Sequence, residues 1–202
     1  MIRKTFASLI ALLLLTSVGV SARQAQRRQQ PTISRTPTPR EAGTARSLEY
    51  IKREVRHELA TLPWYGVFDW LEYQVQPDGT VILSGQVVRP TTKSDAEARV
   101  KQIEGVTRVI NEIEVLPLSP QDDRLRIALY RAIYNWDSPL FTKYGIRAVP
   151  PIHIIVKNGR ATLKGVVDSE MDKQLAYTAA RGVAGLFEVT NDLRVEGSER
   201  RS

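Results

Sequence analysis

The sequence predicts an α+β fold: two tandem α-β-β-α-β modules, each a three-stranded mixed sheet with two helices on one face. Three observations predict it. The first is an internal repeat: set against the residue 80 places later, Gly79, Leu83, Gly85, Val87, Lys93, Ala96, Gly105, Val109, Asn111 and Val115 meet identical residues from Gly159 to Val195 without a gap. The second is a pair of turn dipeptides, Asp78-Gly79 and Asn158-Gly159, each lying between alternating apolar runs. The third is a pair of apolar stripes at helical spacing, Leu48, Ile51, Val55, Leu59 and Leu62 in one copy, Leu125, Leu129 and Ile133 in the other.

Each element follows from local chemistry. The first helix is expected over 48–61, with Ser47 as N-cap and Pro63 ending it. Leu71, Tyr73 and Val75 alternate with Glu72, Gln74 and Gln76, so a strand is expected near 70–76. Asp78-Gly79 predicts a two-residue primed turn, with positive φ at both positions, and a returning strand over 80–87. Ser94 and Glu97 have capping-box spacing for a second helix, which Gly105 stops. A last strand is expected over 107–115. The second copy repeats the order, with helices near 123–134 and 170–181 and a last strand near 187–195. Its first helix aligns at an offset of 74, which puts six extra residues around Asp137 to Pro151. The β-α-β crossover is expected to be right-handed. These elements give domains at 47–117 and 121–197, a short joint over Leu116 to Gln121, and a tail at 198–202.

The 202 residues carry a formal net charge of +7, and all of that excess lies in residues 1–46, where eight basic residues face Glu41 alone. The two modules are therefore neutral, without the basic face expected of a nucleic-acid binder. Arg3 and Lys4 precede an apolar run from Ala7 to Val20, closed by the small residues of Val20-Ser21-Ala22. This has the form of a cleavable secretory signal over 1–22, and it predicts a periplasmic or secreted protein. A retained anchor is the alternative reading, although the run is shorter than a full span of ~20 residues. With no cysteine in the chain there is no disulfide framework and no thiolate metal site. Residues 23–46, rich in Gln, Arg, Pro and Thr, are expected to form a disordered basic linker.

No catalytic signature is present: there is no Gly-x-Ser-x-Gly elbow, no cysteine nucleophile and no Gly-rich phosphate loop. Gly182-Val183-Ala184-Gly185 has the GxxG form of an RNA-binding loop but stands between a helix and a strand. His57 and His153 are too few for a metal site, and each is expected to be solvated or locally bonded. No cofactor or metal is expected. Gly85 and Gly165 imply close packing of a helix on the sheet, or a bulge. Asn111 and Asn191 are expected to bond backbone at the helix-to-strand loop. The aromatic residues are the most informative. Trp64, Tyr65, Phe68 and Trp70 follow the first helix of one copy, and Trp136, Phe141 and Tyr144 follow that of the other. They either form a lipid- or partner-contacting patch or cover a small core and cement the modules together.

The run Asp78-Gly79-Thr80-Val81-Ile82-Leu83-Ser84-Gly85-Gln86-Val87, with Ala96, Gly105-Val106 and Val109-Ile110-Asn111, resembles the BON-domain family. Asn158-Gly159, Leu163, Gly165, Val166-Val167, Ala176, Gly185 and Val189-Thr190-Asn191 carry the same resemblance in the second copy. It implies a non-enzymatic envelope protein, contacting a phospholipid surface or other envelope proteins. A stress-protective, chaperone-like protein that holds unfolded clients is the alternative.

Overall fold

The computed structural model describes residues 39–197, and the side chains of 46–197. The leader, most of the basic segment and the tail lie outside the described residues. The first copy contains α1 (Pro39–Ala60), β1 (Trp70–Val75), β2 (Thr80–Val87), α2 (Pro90–Lys101), β3 (Arg108–Asn111) and β4 (Glu114–Val115). The second contains α3 (Pro120–Ile133), a π-helical turn (Phe141–Gly145), β5 (Ile152–Lys157), β6 (Arg160–Val167), α4 (Glu170–Arg181) and β7 (Glu188–Val195).

Each module has one mixed sheet. In the first, β2 pairs antiparallel with β1 and parallel with both β3 and β4. In the second, β6 lies between antiparallel β5 and parallel β7. The expected helical stripes form the cores. Ile51, Val55, Leu59 and Leu62 pack with Val81, Leu83, Val87, Ala96 and Val100. Leu125, Leu129 and Ile133 pack with Ile152, Ile154, Val156, Leu163, Ala176 and Leu193. Asn111 and Asn191 tie the third strand to the second helix at one position in both copies. Their amides donate to the Lys93 and Lys173 carbonyls at 3.0 and 3.1 Å, and their oxygens accept from Ile113 and Leu193 amides. The carbonyls they reach lie within the helices rather than in the helix-to-strand loop.

Several boundaries differ from expectation, each for a local reason. α1 starts at Pro39, so Ser47 is an interior helical residue and the 23–46 segment is helical from 39 onward. Proline is tolerated in a first helical turn, and the Arg, Glu and Ala residues that follow favour the helix. α2 starts at Pro90, with Arg89 as N-cap. Ser94 therefore lies inside the helix, bonding back to the Thr91 carbonyl at 2.9 Å, and no capping box forms. α2 ends at Lys101, four residues before Gly105. α3 begins at Pro120, inside the expected joint, with the Ser119 hydroxyl accepting from the Asp122 amide.

The two hairpins also differ. Asn158 and Gly159 both have positive φ, 52° and 72°, and form the expected two-residue turn. In the first copy only Gly79 does, at 82°. The Gly79 amide donates to the Gln76 carbonyl and the Gln76 amide to the Thr80 carbonyl. That is a three-residue loop, Pro77 to Gly79, with proline fixing φ at the first corner of a type I turn. The second loop is thus one residue shorter, and β5 aligns with β1 at an offset of 81: Leu71 faces Gly85 where Ile152 faces Gly165. A β-carbon at Gly85 would sit 2.0 Å from the Trp70 carbonyl oxygen, and one at Gly165 would sit 1.8 Å from that of Pro151. The glycines therefore admit a neighbouring strand's backbone, not a helix.

Candidate functional site

The segments after α1 and α3 carry every aromatic residue singled out from the sequence, and the structure divides them into two groups. Trp64 stands in the left-handed region, at φ 70°, and is 67% exposed. A tryptophan held in this conformation stores strain of about 1–3 kcal/mol. The Arg89 guanidinium lies over its ring, 4.8 Å from the centroid. Trp136 is 79% exposed and leans on the half-buried Phe141, centroids 5.2 Å apart. Ile146, which the sequence pattern did not single out, is 78% exposed in the same segment.

The other aromatics face inward. Tyr65 and Trp70 flank His153 of β5, with centroid distances of 5.5 and 5.2 Å. Phe68 meets Tyr130 of α3 edge-on at 6.3 Å, and the Ile154 amide of β5 donates to the Val67 carbonyl at 2.8 Å. The loop of the first module thus covers the open edge of the second module's sheet, which protects an otherwise unpaired ladder. His153 is 6% exposed, so of the expected solvated or locally bonded ring the solvated form is overturned: it is wedged between the modules beside the Asp69 and Gly66 carbonyls, its Nδ1 without a partner. Burial holds its pKa below the ordinary value. His57 is exposed, and among the described residues no three potential ligands come together to hold a metal ion.

Asp69 anchors this loop. Its carboxylate accepts from the Gly66 amide at 3.0 Å and the Val88 amide at 2.8 Å, joining the loop to the approach to α2. Burial raises its pKa, opposed by those two amides. Burial likewise pushes the Tyr65 hydroxyl up to about 12. In the second module Tyr144 is only 1% exposed, so it presents no contact surface and is removed from the candidate set. Its hydroxyl donates to Asp172 at 3.0 Å and accepts from the Asp168 amide at 2.9 Å. Lys143 bridges Asp168 and Asp172 at 2.9 and 2.7 Å. Burial alone would raise Asp172, but the bonds from Lys143, Ser169 and Tyr144 prevail and hold it below its usual range.

Of the seven expected contact residues, Trp64 and Trp136 are therefore exposed and Phe141 half-exposed, while Tyr65, Phe68 and Trp70 cement the modules. The sequence pointed to the aromatic segments but gave no sign of which rings face outward. That depends on β5, 80 or more residues away.

The BON-domain family model matches residues 47–117 and 141–197, and this chain belongs to the BON-domain family. α3 precedes the second matched segment, although it packs on its sheet as α1 does on the first. No curated protein matches the chain. Among solved structures, it is similar to CdsD, a structural protein of the type III secretion system of Chlamydia trachomatis. That match has 12% identity and a TM-score of 0.28 over 74% of this chain and 95% of the other. The CdsD C-terminal domain matches at 13% identity with the same TM-score of 0.28, over 71% of this chain and 96% of that one. Overlaps at this score carry no argument about fold or function.

Proposed function

We propose that this protein is a non-catalytic binding protein of the bacterial envelope, exported by its N-terminal segment, which contacts phospholipid through Trp64 and Trp136. The supporting observation is that both modules expose a tryptophan at the same place, the segment following the first helix. Indole rings favour the boundary between lipid headgroups and acyl chains, where one edge stays wet and the ring face is dry. Arg89 beside Trp64 supplies a cation for a headgroup phosphate. The basic segment preceding α1 adds charge attraction that salt screens over roughly 8 Å. Among the described residues no helix is long and apolar enough to cross a membrane.

Co-sedimentation with vesicles of anionic or neutral phospholipid tests this reading. Three forms of the protein are compared: the chain from Arg23, the chain without 23–38, and Trp64→Ala with Trp136→Ala. Removal stops at 38 because α1 begins at Pro39. The double variant, folded by circular dichroism, is expected to bind roughly tenfold or more weakly, because ring burial is lost. Deleting 23–38 should remove only the salt-sensitive part. If only that deletion abolishes binding, the tryptophan reading fails. If no form binds, lipid is not the ligand and an envelope protein takes its place. Amino-terminal sequencing of exported protein should begin at Arg23.

A further inference from the structure

We infer that His153 makes the junction between the two modules acid-sensitive, so that loop 64–70 releases the edge of β5 as pH falls through the ordinary histidine range. The argument starts from side-chain alternation. Ile152, Ile154 and Val156 point into the second module's core, so His153 and Ile155 point to the sheet's other face. That face would be open in a module standing alone, yet His153 is 6% and Ile155 5% exposed. The first module covers His153: the rings of Tyr65 and Trp70 lie against it, and the Ile154 amide is bonded to Val67 of the same loop.

A neutral imidazole suits this setting, with one nitrogen carrying a proton and the other bare. The Asp69 and Gly66 carbonyls favour the charged ring, but burial outweighs them. A second proton puts a full charge on a ring shut off from water, and Nδ1 has no hydrogen-bond partner. The charged groups around the ring do not offset this. Lys164 lies directly across the ladder from His153, with Asp192 opposite Lys164 on β7. Asp69, on the loop, is already engaged by two amides and lies in the field of Arg89 and Arg126. The closed junction therefore binds a proton on His153 less readily than the open one. Its full stability is present at neutral pH. Loss begins as pH falls through about 6.5, the value of a free ring, and levels off below the depressed value of the closed state.

The test is amide exchange on the chain from Arg23, corrected for the intrinsic pH dependence of exchange. From about pH 7.5 to about pH 5.5, protection of the Ile154 amide should fall by up to roughly tenfold, the linkage limit for one ring of ordinary pKa 6.5. Amides in the centre of β6 should hold their protection. His153→Phe should abolish the fall, and His153→Gln serves where the phenylalanine variant does not fold. Constant Ile154 protection in the unmodified chain overturns the proposal. So does a fall that persists in the His153 variants and vanishes in Asp69→Asn, which would assign it to the carboxylate.

Discussion

The two modules turn the same corner between their first two strands by different means. The first closes its hairpin within the loop: Pro77 sets the first corner, and the Asp78 carboxylate accepts from the Thr80 amide at 2.9 Å and the Thr80 hydroxyl at 3.0 Å. The second closes a shorter loop from outside. Asp122 of α3, 1% exposed, accepts from the amides of Asn158 and Gly159 at 2.9 and 2.8 Å. At the offset that aligns the first helices, Leu48 stands where Asp122 does. The ladders beyond the turns keep equivalent glycine pairings all the same. A repeat thus preserves strand register, which decides every side chain's face, while the device that holds the turn is free to change.

Replacing Asp122 should separate the copies most. Asp122→Ala leaves two turn amides without an acceptor, that of Gly159 buried, and should cost about 3 kcal/mol in denaturant titration, as the donors lose their partner. Leu48→Ala, on a half-buried side chain, should cost roughly 1 kcal/mol. Equal losses would mean that the turn of the second copy does not depend on α3.

The turn glycines give the next largest contrast. A β-carbon at Gly79 would meet the Gly105 carbonyl oxygen at 2.5 Å, whereas one at Gly159 would meet the Phe187 ring at 2.7 Å. The backbone oxygen cannot move aside, but the Phe187 ring, 82% exposed, can swing into solvent. Gly79→Val should cost about 3 kcal/mol, and Gly159→Val about 1–2 kcal/mol from φ strain. The reverse order would show that the second turn is the tighter.

The smallest effect is the sharpest probe of turn type. Asn158→Gly should fall within about 0.5 kcal/mol of the unmodified chain, because its positive φ suits glycine. Asp78→Gly should cost about 1 kcal/mol or more, losing the bonds to Thr80 and loosening a corner of ordinary φ. Matching values would mean that both loops are built as primed turns.

Much of this fold was legible in the sequence because it rests on short-range demands. Alternation, helical stripes and glycine positions survive in the pattern itself, so β2, α4 and β7 fall where they were expected, β7 to within a residue. The helix starts at Pro39 and Pro90 were masked by residues that resemble caps, Ser47 and Ser94. The type of the first turn was hidden because Asp-Gly suits both loop lengths and Pro77 decides between them. Of the junction only the cementing role of the aromatic segment was legible, as one of two readings, and not which rings take it. Nothing local marks His153 as buried or Trp70 as inward-facing, since both depend on the loop of one module meeting the edge strand of the other.

The joint between the modules has a kinetic and thermodynamic consequence. Leu116 is buried and α3 begins at Pro120, so only Pro117, Leu118 and Ser119 span the gap. A tether that short presents the docking loop to its edge strand at an effective concentration on the order of millimolar or higher. Contacts too weak to hold two separate molecules together stay closed under that condition. The same tether limits how far the halves part when the contact opens, so closing again is a local step that does not slow with dilution. Cleavage of the chain at the exposed Leu118 would remove this advantage in one cut and leave the two halves to their intrinsic affinity.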